Sequence, residues 1–599
     1  MAIDTIISRF KRHAETQPHS PAMWYRQGGA WVPIDWRTYY ARCLDFAGAL
    51  LAMGYEPGDA VAIMGNNRPE WLIADVGAMM VRGVPAGIYQ TSTVEQAAYI
   101  AAHCEAKVVV VEDEEQWKKI AAVRDQLPNL RKVVIMASAA QVNDPLVVSF
   151  DDFCKSGADQ HPAVQKRSDE IQPDDLSTLI YTSGTTGPPK GVMLSAKNLA
   201  ATAAIAVEMV GDTRPEDCVV SYLPLSHIAE QMFSVHVALT VGYPIWFCPK
   251  LEQLKEVLIA ARPTLFLGVP RVWEKFQTAL EQKLNEATGL KATIIRWSRK
   301  VGTEAGQYRV RHGAPSGMLG FKETVARRLF FDKLAKQVGL DRLRVAVSGA
   351  APISRETLEF FLSCGIAIHE VYGQSEGTGP STFNWPRPGK TKIGTVGIPI
   401  PRVDVKIAED GEIIVRGPNV FLGYFKEEEA TKATLIDGWL HSGDVGEFDA
   451  EGFLRITDRK KDLLITAGGK NVAPQNIEKL LRNIPGVGQA VVIGDRRKYL
   501  VALVTIDPVG GPALAKAKGW PEASDALAHH AAFLAHVQSG VDAANSQLAR
   551  YETVKKFTVL PNDFTLETGE LTPTQKIKRK VVYEKYGQQI EAMYGGEGD

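Results

Sequence analysis

Cysteine is scarce and scattered in this chain of 599 residues. The six cysteines, Cys43, Cys104, Cys154, Cys218, Cys248 and Cys364, form no C-x-x-C pair. Neither a zinc site nor a disulfide framework is indicated, and a reducing, cytoplasmic setting is expected. An excess of charge of either sign is also lacking: 68 Lys and Arg stand against 69 Asp and Glu, a formal net charge of -1. No nucleic-acid partner is expected, and any anion site must be local. Long apolar runs are missing too. The stretch 232–247 is broken by His236, Gly242 and Pro244, which suits core elements better than a membrane span. Near the start, Asp4 precedes an Ile6, Ile7, Phe10 pattern in place of a basic region with a long apolar continuation, so no signal peptide is read.

What is present is ordinary in composition, with 45% hydrophobic, 23% charged and 8% aromatic residues. The length exceeds what one core can organise, so two or more domains are expected. The apolar run Ala60–Met64 ends at Gly65-Asn66-Asn67, and Pro69 opens a helical pattern that reaches Val81 before Gly83 stops it. Short β-branched runs at Val108–Val111 and 133–136 are separated by a polar helical pattern over 113–127. This alternation predicts an α/β fold of mostly parallel sheets with helices on their faces. From Gly394 the texture changes. Val403, Val405 and Ile407 alternate, Glu409-Asp410-Gly411-Glu412 signals a hairpin, and a small β subdomain ending near Asp444 is predicted. Beyond Asp462, a helix over 475–482, strands over 490–493 and Leu500–Ile506, and helices through Leu548 predict a smaller α/β domain. Between the two stands Asp458-Arg459-Lys460-Lys461-Asp462, a charge run read as a solvated linker.

The stretch most concentrated in glycine and hydroxyls is Tyr181-Thr182-Ser183-Gly184-Thr185-Thr186-Gly187-Pro188-Pro189-Lys190-Gly191, after a strand-like run at 176–180. Backbone N–H groups and a lysine in such a loop can cradle phosphate oxygens. It is not a Walker A loop: Pro189 precedes the lysine where glycine is required, and Gly191 follows where Ser or Thr is required. A P-loop kinase or ATPase is therefore disfavoured. By itself the cluster is as well explained by a solvent-facing turn.

Further motifs follow in order. His227 sits in Ser221-Tyr222-Leu223-Pro224-Leu225-Ser226-His227-Ile228-Ala229-Glu230, where a lone histidine among apolar residues is better explained as part of the core. Val269-Pro270-Arg271-Val272-Trp273-Glu274-Lys275 leads into a long helical segment, 276–338, carrying Arg296, Lys300, Arg309, Arg311, Arg327 and Arg328, read as a solvated insertion. Ser348-Gly349-Ala350-Ala351-Pro352 offers small residues that a flat ligand can approach closely. Tyr372-Gly373-Gln374-Ser375-Glu376 sets an aromatic face four residues from a carboxylate that could hold a hard cation. Gly443-Asp444, a commonplace turn in isolation, carries a carboxylate that can accept from two adjacent hydroxyls. Gly468-Gly469-Lys470-Asn471 is a second glycine loop, and Leu571-Thr572-Pro573-Thr574-Gln575-Lys576 precedes a basic tail segment.

Taken together and in this order, over nearly the whole chain from Asp4 to Tyr586, these motifs resemble the adenylate-forming (AMP-binding) superfamily of acyl- and aryl-CoA synthetases, luciferases and peptide-synthetase adenylation domains. The insertion and its Val-Pro-Arg-Val-Trp-Glu-Lys lead resemble the long-chain and bubblegum-type fatty acyl-CoA synthetases. The resemblance implies a large domain over 1–457, a hinge at 458–462 pivoting on Lys461, and a mobile domain over 463–599 that carries a catalytic Lys576. It implies that ATP is held by Thr182, Ser183, Gly184, Thr185, Thr186, Gly187 and Lys190. Adenine would meet Gly349, Ala350, Ala351, Tyr372, Gly373, Gln374 and Ser375, and Asp444 and Arg459 would hold the ribose. Mg²⁺ would sit on Glu376 and Thr182, the acyl carboxylate beside His227, and the pantetheine arm near Gly468 to Asn471. Ser375 replaces a threonine of many relatives, and Gln575 a glycine. The implied reaction activates a long-chain fatty acid with ATP and passes it to coenzyme A, with peripheral membrane contact through the basic insertion as a further expectation. Two alternatives stay open: a fatty acyl-AMP ligase that loads a carrier protein, and a non-catalytic nucleotide-binding protein. The joint presence of Lys190, Glu376, Asp444, Arg459 and Lys576 argues against the latter.

Overall fold

The computed structural model describes residues 4–137, 142–182, 188–460, 462–467, 470–572 and 576–595. The expected α/β class is borne out. Strands Ala60–Met64, Val84–Ile88 and Val108–Val111 are buried along their whole length, as continuous β-branched and small apolar runs require when helices cover both faces. The helix Pro69–Met80 crosses between the first two, starting at a proline whose missing N–H costs nothing at that position. These strands are mutually parallel and extend through Lys132–Ile135 and Val147–Ser149.

This eight-stranded sheet is mostly parallel, as expected, and turns antiparallel only at its other edge. Leu176–Thr182 joins Val84–Ile88 in parallel, but Lys190–Ser195 and Gly423–Tyr424 then add antiparallel. A second sheet places Leu265–Gly268, Val345–Ser348 and Ile368–Gln374 in parallel, followed by antiparallel Gly379–Phe383 and Ile398–Pro399. The predicted β subdomain is present but runs past Asp444. Trp439–Phe448 pairs with Glu412–Arg416 on one side and with Leu454–Arg459 on the other.

That last pairing corrects the reading of 458–462 as a solvated run. Asp458 and Arg459 close a strand opposite Val445 and Asp444, and Asp458 is 1% exposed. Burial pushes its carboxyl up to about 7, and one oxygen accepts the Arg459 N–H. The charge run is thus a strand end followed by a short connection.

Beyond Asp462, the helix Pro474–Arg482 packs on antiparallel strands Val487–Ile493 and Leu500–Ile506, close to their expected bounds. A third strand, Val554–Leu560, lies parallel to Leu500–Ile506 and was not anticipated. This part has its own apolar core, in which Ile477, Leu481, Phe533 and Val537 cover the sheet. Also unanticipated was the hairpin of Pro21–Gln27 and Ala30–Asp35. Its two-residue turn, Gly28-Gly29, takes the positive φ angles that glycine accepts without strain.

Candidate active site

The glycine- and hydroxyl-rich loop connects two antiparallel strands. Tyr181 faces Gly191 and Thr182 faces Lys190 across the pair, so the loop is a hairpin where a Walker A loop would lead into a helix. Ser183, Gly184, Thr185, Thr186 and Gly187 lie outside the described residues. At the base, the Lys190 ammonium is 4.8 Å from the centre of the Tyr424 ring and 3.8 Å from Glu427. Tyr424 is brought there by the pairing of Gly423–Tyr424 with Lys190–Ser195, and its hydroxyl donates to Glu376 Oε1 at 2.7 Å. Tyr424 and Glu427 were not singled out from sequence. The one local signal was Gly423, whose φ of 139° and 2.7 Å approach to Thr431 leave no room for a side chain.

The second sheet supplies the facing wall at the carboxyl ends of its parallel strands, the usual ligand edge of an open α/β sheet. Val345–Ser348 ends at Gly349, where a Cβ would come within 2.5 Å of Val371 on the neighbouring strand. Ala350 is held at φ 68°, a left-handed conformation costly for a residue with a side chain. Gly373 is more constrained still: a Cβ there would meet the Gly379 carbonyl at 1.7 Å. Ala351 and Gly373 are exposed, whereas Tyr372 is only 7% exposed. The Tyr372 hydroxyl donates to Asp444 Oδ2 at 2.8 Å, and Arg459 Nε donates to Asp444 Oδ1 at 3.0 Å. Tyr372 and Glu376 therefore diverge: the strand Ile368–Gln374 ends between them, and Glu376 sits in the following turn Ser375–Gly377 with Ser375 buried.

Lys576 comes to this place from the other end of the chain. Thr572 N–H donates to the Lys576 carbonyl at 2.8 Å and Lys576 N–H to Thr572 Oγ1 at 2.9 Å. Leu571 and Ile577 bridge just outside, so the backbone at Lys576 is tied back to that at Thr572. Burial and the Arg459 guanidinium push its ammonium down to about 8, while Asp444 and Glu376 pull the other way. Lys576 thus lies within electrostatic reach of three groups from the part of the chain before Lys461. A fourth is His227, whose imidazole is pushed down to about 3 by burial and by the Lys576 charge. His227 Nδ1 accepts from Ala229 N–H at 3.1 Å, which leaves the proton of the neutral ring on Nε2. At neutral pH it is an uncharged donor rather than a proton shuttle. Lys461 and the Gly468-Gly469 pair lie outside the described residues.

Among the described residues no group of three or more His, Cys, Asp or Glu is placed to hold a metal ion. Glu376 offers one carboxylate, with one oxygen already bonded to Tyr424. Mg²⁺ is bound through one or two carboxylates, with water and phosphate oxygens completing the shell. The donor set therefore fits an ion that arrives with a polyphosphate and does not fit a resident metal centre.

The sequence matches the AMP-binding enzyme family over residues 10–425 and the AMP-binding enzyme C-terminal domain over residues 461–598. It is 37% identical over 611 residues to the long-chain-fatty-acid–CoA ligase ACSBG2 of Xenopus laevis, covering 96% of this chain and 81% of that one. It is 36% identical to the long-chain-fatty-acid–CoA ligase FadD15 of Mycobacterium tuberculosis, covering 95% of this chain and 93% of that one. In fold it is similar to the anthranilate CoA ligase AuaEII bound to anthranoyl-AMP, with a TM-score of 0.74 at 18% identity and 99% of both chains covered. The o-succinylbenzoate coenzyme A synthetase of Bacillus subtilis, solved with ATP and a magnesium ion, superposes with a TM-score of 0.67 at 21% identity, covering 96% of this chain and 98% of that one. The family model spans well over half of the chain and the relatives are more than 30% identical over nearly all of it, so the chain belongs to the AMP-binding enzyme family.

Proposed function

We propose that this protein is a long-chain fatty acid–CoA ligase, which activates the fatty acid with ATP and transfers the acyl group to coenzyme A. The observation that supports it most is the meeting of Lys576 with Arg459, Asp444, Glu376 and His227, groups that lie between 117 and 349 residues away along the chain. In the first step a carboxylate oxygen of the fatty acid attacks the α-phosphorus of ATP, the bond to the bridging oxygen of the β-phosphate breaks, and pyrophosphate leaves. Crowded negative charge is the obstacle, and positioned cations relieve it without acid–base chemistry. In this reading Lys190 and the loop 182–187 hold the phosphates and Lys576 faces the charge that develops at the α-phosphoryl group. Asp444 and Arg459 hold the ribose. Gly349, Ala350, Ala351 and the stretch Tyr372 to Ser375 form the adenine pocket, and His227 donates from Nε2 to the acyl carboxylate. Thr182 and Glu376 would hold Mg²⁺, which screens phosphate charge when bound.

In the second step the thiolate of coenzyme A attacks the acyl carbonyl, the bond to the phosphate oxygen breaks, and AMP leaves. Lys576 has no pyrophosphate to serve at this stage, and a swing of the small domain would clear it. The joint is proposed at 460–462, immediately after the strand that ends at Arg459, with Lys461 as pivot, the large domain before it and the mobile one after it. Lys576→Ala tests the reading: pyrophosphate release should fall by about 100-fold or more, the scale of losing one stabilising donor at the reacting centre. Thioester formation from supplied acyl-adenylate should persist. Adenylation at the wild-type rate would contradict the role.

Peripheral membrane contact is retained in this proposal because of the insertion. Met318 and Phe321 are 69% and 67% exposed on one face of the helix Gly317–Ala326, beside Lys322. Large apolar side chains held in water next to a cation suit an anionic lipid surface. Among the described residues no helix is long and apolar enough to cross a membrane.

A further inference from the structure

Arg271 belongs to the Val-Pro-Arg-Val-Trp-Glu-Lys stretch, and nothing in the reaction above uses it. It is the second residue of the helix Pro270–Asn285, whose start is pinned by buried Trp273, the indole N–H donating to the Gly268 and Val347 carbonyls at 3.0 and 3.3 Å. From this fixed base the guanidinium reaches across to the small domain. It forms a short ion pair with Asp563, lies 3.8 Å from Asp507, and donates to the Gly488 carbonyl at 3.5 Å. The socket is built for it. Asp563 Oδ1 is held by the Thr505 hydroxyl at 2.6 Å, and a Cβ on Gly488 would come within 2.8 Å of that oxygen. The pair is largely shielded, with side-chain exposures of 17% for Arg271 and 10% for Asp563.

Other contacts that span the same boundary are weaker or more exposed, Asn476 donating to the Thr457 carbonyl at 3.1 Å among them. Asn483 donates to Glu356 at 3.0 Å in an exposed position, and Lys479 is in electrostatic reach of buried Glu370. Among the described residues, Arg271 makes the only ion pairs, within 4.0 Å, between the part before Lys461 and the part after it. Asp563 lies between the strand Val554–Leu560 and the Leu571–Ile577 bridge beside Lys576. A restraint at Asp563 is therefore a restraint on the lysine. Breaking a shielded pair by removing one partner is costly, because the other charge is left without compensation.

We propose that Arg271 is a positioning residue that latches the small domain in the pose in which Lys576 meets the nucleotide, so that releasing this latch is part of the passage to thioester formation. The proposal rests on the two-step reading above. Population arithmetic sets the effect: when the competent pose changes from dominant to minor, the step that needs it slows in proportion.

The test separates the half-reactions in Arg271→Ala, Asp563→Asn and the double variant, with Lys576→Ala as control and thermal unfolding measured for each. Pyrophosphate release should fall about tenfold or more in either single variant. Thioester formation from supplied acyl-adenylate should be unchanged or faster. The double variant should be no worse than the singles, since both remove one contact. Asp563→Asn keeps the side-chain volume and leaves the Arg271 charge with Asp507 still 3.8 Å away, so it carries the test if Arg271→Ala does not fold. Equal loss in both half-reactions, an unaffected adenylation step, or simple additivity overturns the latch while a Lys576→Ala split leaves the two-step reading standing. If Lys576→Ala shows no split, that reading fails and the latch with it.

Discussion

Asp444 and Arg459 are cross-strand partners whose side chains meet, Arg459 Nε donating to Asp444 Oδ1 at 3.0 Å. Arg459 is also the last residue of its strand, so the aspartate proposed for the ribose lies one strand across from the proposed joint. Both Asp444 oxygens are engaged, the second by Tyr372 at 2.8 Å. An ionised carboxylate has about four acceptor sites, so two hydroxyls can be added without breaking either bond. Asp444→Ala is expected to raise the KM for ATP and lower kcat/KM by about 10- to 100-fold, the scale of a lost hydrogen bond to a charged group. Steady-state kinetics with varied ATP check this, and an unchanged KM for ATP would remove Asp444 from the nucleotide site.

The depressed ammonium of Lys576 gives a pH signature. Held down to about 8 by burial and by Arg459, it is charged below that pH and neutral above it. Adenylation needs the charged form. The kcat/KM for ATP should therefore be level below about pH 8 and fall by about tenfold per pH unit above it. Bound triphosphate favours the ammonium, so the fall in kcat should lie at higher pH. Lys576→Arg, charged throughout, should lose the alkaline fall; retention of the same fall in that variant would assign it to another group.

Gly373 has no space for a methyl group, the nearest obstacle being a backbone carbonyl that cannot turn aside. Gly373→Ala should cost about 1–3 kcal/mol by overpacking, lower Tm, and weaken AMP binding more than the loss of stability explains. Calorimetric titration with AMP alongside thermal unfolding distinguishes the two effects. A variant with wild-type Tm would show that the strand carrying Tyr372 shifts without penalty.

On the insertion, Met318→Asp with Phe321→Asp should abolish co-sedimentation with anionic vesicles and leave pyrophosphate release with a soluble short-chain acid unchanged. Equal vesicle binding by the variant and the wild type would show that this face does not meet lipid.

Much of the site was legible because its chemistry is local. The hairpin loop, the small residues at Gly349 to Ala351 and the Tyr372 to Glu376 stretch each lie within a dozen residues, and the α/β alternation followed from fully buried strands such as Val108–Val111. What could not be read depends on pairing at long range. Tyr424 reaches Glu376 only because Gly423–Tyr424 adds to the edge of a sheet begun at Ala60–Met64, and a two-residue strand has no periodicity of its own. Arg271 stands out in sequence only as part of the Val-Pro-Arg-Val-Trp-Glu-Lys stretch, since its partner Asp563 is 292 residues away. Asp458 was misread for the same reason: five charges in a row suggest solvent, and only the strand partner Val445 reveals that the first of them is buried.

A long-chain fatty acid is adenylated by this protein and delivered to coenzyme A. ATP–pyrophosphate exchange across carboxylic acids of increasing chain length, followed by trapping with coenzyme A, tests it most directly. Exchange should depend on a long-chain acid, and added coenzyme A should be consumed with release of AMP. Exchange without consumption of coenzyme A, or no exchange with any acid, would contradict the account.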